Sequence, residues 1–158
     1  MPDDFSLGSV ETKIAPTERF AQFLQARGKR LTRQRRVIVE MVFSHHDHFD
    51  AEELIDHLRP LIAARQVSRP TIYRTLGELI DARMLRSIMT VSGRSVYEHD
   101  YGYPRHDHLH CQTCGRLIEF QCEPIVRLCE QVAREHDFQV AGHRVFVTGT
   151  CAACRQKR

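Results

Sequence analysis

Tryptophan is missing from the 158 residues, and no apolar run approaches the ~18 residues that cross a bilayer. The start, Met1-Pro2-Asp3-Asp4, has neither a basic flank nor an apolar stretch. A cytoplasmic protein is therefore expected, with no membrane partner. Charge of one sign is also lacking, since 23 Lys and Arg stand against 20 Asp and Glu. Cysteine is absent until position 111, and then come Cys111, Cys114, Cys122, Cys129, Cys151 and Cys154. Disulfides seldom persist in the cytoplasm, so six Cys and ten His point to metal. Enzyme signatures are missing too. There is no H-x-E…P-C-x-x-C deaminase pattern, no H-E-x-x-H, no G-x-S-x-G elbow and no Gly-rich phosphate loop. Neither catalysis nor a small-molecule substrate is expected.

What is present divides in two. The polar stretch His99-Asp100-Tyr101-Gly102-Tyr103-Pro104-Arg105 reads as a linker. It gives a loose tail over 1–15, a first domain over 16–98, a hinge over 99–105 and a second domain over 106–158. In the first domain, Phe20, Phe23 and Leu24 mark a helix over 17–27, and Val37, Ile38, Met41 and Val42 mark another over 33–43. A third opens on Asp50 with Glu53 three residues on, a capping-box pattern, and its stripe runs through Leu54, Ile55, Leu58, Leu61 and Ile62. A fourth starts at Ser68 with Pro70 in its first turn. Its expected buried side is Ile72, Leu76, Leu79 and Ile80, with Thr71, Arg74, Thr75 and Glu78 outward and Tyr73 on the border. Strands over 84–91 and 94–98 join through Ser92-Gly93.

Helices followed by a hairpin outline a winged helix-turn-helix, which suits double-stranded DNA. Thr71, Tyr73 and Arg74 would face bases or phosphates in the major groove. Lys29, Arg30, Arg33, Arg35 and Arg36, five cations in eight residues without an acid, would hold phosphates. Gly93-Arg94 would form the wing tip. The different-class alternative is a zinc-stapled protein-interaction module, which would bind no DNA.

In the second domain, Cys111-Gln112-Thr113-Cys114 and Cys151-Ala152-Ala153-Cys154 are two CxxC pairs, 36 residues apart. Each pair puts two thiolates on one tight turn, and two such turns make a tetrahedral zinc site. The gap exceeds the about 15–20 residues of a simple ribbon, so it holds structure of its own. A strand is expected over 116–120, a helix over 123–136 with Ile125, Leu128, Cys129 and Val132 as its apolar side, and one or two strands over 139–150. A domain this small is marginal for a core alone, and structural zinc and a partner chain would offset the deficit. His106 and His108 point to one side of a strand and make half a metal site. His48, Glu98 and Glu119 could complete it, joining both domains through one ion. The whole is α+β: an N-terminal winged helix plus a small C-terminal α/β domain with a four-cysteine zinc site.

Several segments in order resemble the ferric uptake regulator family: Leu31-Thr32-Arg33-Gln34-Arg35, His48 to Leu54, Val67 to Leu76, Tyr97-Glu98, His106 to Gly115, Gly142-His143 and the last CxxC. The resemblance implies a homodimeric, metal-dependent repressor with a C-terminal dimerisation domain and an AT-rich inverted-repeat operator. It implies one structural zinc per chain on Cys111, Cys114, Cys151 and Cys154. It also implies a regulatory ion on His48, Glu98, His106, His108 and Glu119, which sets the dimer for DNA. Tyr73 and Arg74 match recognition-helix positions, Arg30 matches a minor-groove residue, and Arg33, Arg35, Ser68 and Thr71 complete the expected contacts.

Departures narrow this. A further site of many relatives would fall on Arg105, Asp107, Val126 and His143, and two of these cannot ligate. With Glu123 as substitute, a weak extra site on Asp107, Glu123 and His143 is the most to be expected. Arg83 stands where relatives often carry Gly. The regulatory ligands suit Fe(II), with Mn(II) or Zn(II) as alternatives. Zinc sensors of the family often use a Cys in the regulatory site, whereas residues 84–110 hold none, and Glu98 and Glu119 stand where peroxide sensors carry Asp. Iron is the leading expectation; zinc-responsive, manganese-responsive or peroxide-sensing membership is the alternative.

Overall fold

A computed structural model describes residues 12–44, 48–91 and 94–156, with residues 89–91 as backbone only. Helix α1 (Pro16–Gln25) carries Pro in its first turn and buries Phe20 and Leu24. Helix α2 (Arg33–Ser44) buries Ile38, Val39 and Val42, and the Thr32 hydroxyl accepts the Arg35 amide at 3.3 Å, capping its first turn. Strand β1 (Phe49–Asp50) leads into α3 (Ala51–His57) through a complete capping box. Asp50 Oδ1 accepts the amides of Glu52 and Glu53, each at 2.9 Å, and Glu53 accepts the Asp50 amide at 2.7 Å.

The stripe expected to continue from Leu54 to Ile62 is broken at Leu58, and α4 (Arg59–Ala63) restarts with Pro60 in its first turn. Pro60 offers no N–H and its ring would crowd the Asp56 carbonyl, so one continuous helix is not available. Helix α5 (Arg69–Asp81) is capped by Ser68, whose Oγ accepts the Thr71 amide at 3.4 Å. Strands β2 (Leu85–Val91) and β3 (Arg94–His99) form the hairpin. The Ser92-Gly93 turn lies outside the described residues. The sheet order is β1-β3-β2, antiparallel throughout, with a bulge between Ser87 and Met89.

The core of this first unit unites Phe20, Leu24, Ile38, Val39, Leu58, Ile72, Leu76, Leu79, Met84 and Leu85. The unit extends to Tyr103. His99 and Tyr101, expected in the hinge, belong to it: His99 is buried with Nε2 2.9 Å from the Val42 carbonyl, and Tyr101 donates to the Ile14 carbonyl.

The second unit begins at Pro104. Strand β4 (Asp107–Cys111) pairs antiparallel with β5 (Leu117–Phe120) and parallel with β6 (Phe146–Gly149). Helix α6 (Glu123–Glu135) lies between β5 and β6 in sequence, and α7 (Ala152–Arg155) follows the last strand. Residues 138–145 run without regular structure, shorter in strand than expected. The apolar side of α6 differs too. Leu128 and Val132 are 60% and 47% exposed, because nothing among the described residues of this unit covers them.

Four helix ends close alike, with a 6→1 bond from the amide that follows a left-handed residue. Lys29 N donates to Leu24 O, Gln66 N to Leu61 O, Met84 N to Leu79 O and Phe138 N to Ala133 O, at 2.8–2.9 Å. This closure needs a left-handed residue, and only the first has glycine. Gly28, Arg65, Arg83 and Asp137 have φ of 68°, 56°, 54° and 49°. Arg83, where relatives often carry Gly, thus takes a left-handed conformation, and nothing in the structure explains the choice of arginine.

Candidate metal centres and nucleic-acid interface

Four thiols converge in the second unit. Cys111 ends β4, Cys114 lies on the turn after it, and Cys151 and Cys154 bracket the start of α7. Their sulfurs all lie within 4.8 Å of one another. The Cys151 amide donates to Cys111 Sγ at 3.3 Å. That amide, with those of Cys114 and Thr113, holds the Cys111 thiol down at about 5. Cys154 is pushed up to about 12 by hydrogen bonds with the Cys151 and Cys114 sulfurs. A cage that already stabilises one thiolate and crowds four sulfurs fits a tetrahedral divalent ion with soft ligands. Cys122 occupies the N-cap position of α6 without a capping bond, and Cys129 is half-buried on it.

The His and Glu residues form pairs. In the first unit, His48 Nε2 lies 3.2 Å from Glu98 Oε2. Glu98 is buried, and its other oxygen takes the Nε of Arg86, its cross-strand partner on β2. Residue pattern alone does not single out Arg86; the hairpin register, which sets it across from Glu98, carries the signal. In the second unit, His106 Nε2 stands 3.7 Å from Glu119 Oε1, and the His106 and His108 rings are 4.7 Å apart. His106, Asp107 and His108 are all buried. Imidazoles backed by carboxylates are a donor set suited to first-row divalent ions.

Of the extra-site residues, only two meet. His143 Nε2 lies 3.4 Å from Asp107 Oδ2, while Asp107 Oδ1 accepts the Val145 amide at 2.8 Å. Glu123 is exposed and pairs with Arg127 at 3.3 Å. It joins no group of three donors among the described residues. The Arg105 guanidinium lies over Gly142, 3.1 Å from where a Cβ would stand, which puts a cation beside His143.

The expected DNA contacts fall on the first unit. Ser68, Tyr73 and Arg74 on and before α5 are exposed, and so are Arg30 and Arg33 before and on α2. Arg33, Arg35, Thr71 and Arg74 help line a cleft of about 390 Å³. Arg35, however, is taken up internally. Its side chain is 14% exposed and donates to Glu78 at 3.0 Å and to the Arg30 carbonyl at 2.9 Å. Lys29 also pairs with Glu78, at 2.8 Å. The assignment of α5 faces is corrected accordingly. Thr75 and Glu78 are buried and Ile80 is 37% exposed, because two cations from outside the helix draw Glu78 inward. Arg94 of the wing strand pairs with Asp50 Oδ2 at 2.9 Å; Gly93 lies outside the described residues.

A winged helix joined to a small α/β unit with a four-thiol cage defines a DNA-binding transcription regulator that handles metal. The ferric uptake regulator family matches residues 26–148, and the chain belongs to that family. It is 33% identical over 140 residues to the ferric uptake regulation protein of Campylobacter upsaliensis, covering 89% of each chain. It is also 33% identical over 132 residues to the zinc uptake regulation protein of Mycobacterium tuberculosis, covering 84% of this chain and 99% of that one. The ferric uptake regulator of Helicobacter pylori, reported with three functional metal-binding sites, aligns with a TM-score of 0.78 at 25% identity, over 94% of this chain and 98% of that one. The family's proteins are metal-responsive, dimeric DNA-binding transcription regulators. No helix among the described residues is long and apolar enough to cross a membrane.

Proposed function

We propose that this chain is an iron-responsive repressor, acting in the cytoplasm as a homodimer on an AT-rich inverted repeat. Cys111, Cys114, Cys151 and Cys154 hold one structural zinc per chain. His48 and Glu98 of the first unit and His106, His108 and Glu119 of the second hold one regulatory divalent ion. The observation that carries this reading is the pairing inside each unit, His48 with Glu98 at 3.2 Å and His106 with Glu119 at 3.7 Å. Each unit supplies an imidazole already set against a carboxylate, and neither pair alone satisfies a divalent ion. Ligands drawn from both units favour one arrangement of the DNA-binding domains over others, which is how binding at one site biases another.

Arg86 shares Glu98, so ligation there competes with an internal cation. That competition raises the ion concentration at which the protein responds. The extra site is weak, since Asp107 already serves Val145 and His143. The second unit, from about residue 106, is the dimerisation domain. Leu109, Ile118 and Val147 align across β5-β4-β6 and are 40–45% exposed. With Leu128, Val132 and Phe138 they offer the apolar surface a second copy would cover.

The test is anaerobic fluorescence anisotropy on an AT-rich inverted-repeat duplex at fixed salt, with protein carrying only its structural zinc. Binding that appears with Fe(II) or Mn(II) supports the iron-type reading. An equal response to trace Zn(II) makes the protein a zinc-responsive regulator, like the M. tuberculosis relative by name. Binding to no duplex selected from random DNA, at any metal level, points to a protein-interaction module.

A further inference from the structure

Glu78 lies on the inner side of α5, with 8% of its side chain exposed. It shares that helix with Thr71, Tyr73 and Arg74, but it faces none of the surface expected to meet DNA. Its Oε1 accepts Lys29 Nζ at 2.8 Å and an Arg35 terminal nitrogen at 3.0 Å. The other terminal nitrogen of Arg35 donates to the Arg30 carbonyl at 2.9 Å. One carboxylate oxygen therefore ties the recognition helix to residues 29–30 and to the first turn of α2.

A buried carboxylate is costly unless paired, and here the pairing is one-sided. Glu78 Oε2 and Thr75 Oγ1, one helical turn earlier, are buried without a hydrogen-bond partner among the described residues. A polar group that leaves half its acceptor capacity unused is poorly explained as core filling. Its cations explain it better. The cluster Lys29–Arg36 contains no acid of its own, and Glu78 neutralises two of its five members from 49 and 43 positions away.

We infer that Glu78 is a positioning residue that sets DNA specificity, withdrawing Lys29 and Arg35 from phosphates and fixing the backbone that carries Arg30. This rests on the DNA-binding reading above. Phosphate contacts bring affinity without sequence information, whereas specificity needs a side chain delivered at one place and angle. Holding two cations away from phosphates lowers non-specific affinity. Anchoring the Arg30 carbonyl gives the Arg30 side chain one line of approach.

The test uses the full chain with its zinc and saturating Mn(II), on an inverted-repeat duplex and a scrambled duplex of equal length. Glu78→Gln should lower the ratio of specific to non-specific affinity about tenfold, on the scale of one mismatched base pair. Affinity for the scrambled duplex should hold or rise. Arg30→Ala should cost less than about twofold in the Glu78→Gln background, having cost about tenfold or more in the parent. Parallel losses on both duplexes, or a full Arg30→Ala effect in both backgrounds, overturn the inference.

Should Glu78→Gln fail to fold, Arg35→Lys keeps a cation for Glu78 but loses the bond to the Arg30 carbonyl. It should weaken binding to the specific duplex alone, and equal weakening on both duplexes overturns the inference. Amide exchange of residues 29–32 is read without DNA and should quicken about tenfold in Glu78→Gln. An unchanged rate there refutes the positioning role. A parent protein that binds neither duplex refutes the DNA-binding reading instead.

Discussion

Tyr73 donates its hydroxyl hydrogen to Glu52 Oε1 at 2.8 Å, joining the middle of α5 to the first turn of α3. The carboxylate holds the phenol above its ordinary value of 10.0, first by that hydrogen bond and then by partial burial. Between the ordinary and the raised value, the folded chain keeps a proton that the unfolded chain releases. The stabilisation is therefore complete below pH 10.0 and is lost as pH climbs through the raised value. Glu52→Gln should bring the Tyr73 titration back down, followed by tyrosinate absorbance against a Tyr73→Phe reference. An unmoved titration would show that Glu52 does not hold the phenol.

Cys111 is the buried member of the thiol cage and the one whose thiolate the backbone amides favour. Cys111→Ser should release zinc and melt or monomerise the second unit while the first stays folded. A small unit with so much apolar surface exposed depends on both metal and partner. Metal analysis with size-exclusion chromatography and amide exchange checks this. A variant that remains dimeric and zinc-loaded would contradict the staple.

Arg83 occupies a left-handed position at the end of α5, with φ of 54°. Arg83→Gly removes that strain and should stabilise the first unit by about 0.5–1 kcal/mol. The midpoint of thermal unfolding should rise by about 2–8 °C. A lower midpoint would mean that the arginine makes a stabilising contact the backbone argument misses.

The order of elements could be read from residue patterns because each had a local cause: the capping box at Asp50, Ser68 before α5, and paired thiols on tight turns. The break at Leu58 was within reach, since Pro60 alone forbids continuity. The burial of Glu78 was not. Helical periodicity sorts residues by polarity and puts a carboxylate outside, while its cations lie 43 and 49 positions away. The exposure of Leu128 and Val132 was hidden for another reason, since an apolar stripe is the same whether this chain or another covers it. Parallel pairing of β6 with β4 depends on a long connection that spacing does not fix. The metal pairs fall between these cases. His106 and His108 are legible as i, i+2 on a strand, but the share of Glu98 claimed by Arg86 needs the hairpin register.

In the proposed switch, ligands from both units answer to one ion. Fe(II) titration of operator binding, run anaerobically with the parent, His48→Ala and His106→Ala, tests it most directly. Both substitutions should raise the Fe(II) midpoint at least about 10–100-fold, with structural zinc and dimer mass unchanged. A shift from the His106 substitution alone, with His48→Ala responding like the parent, would confine the ion to the second unit and contradict the account.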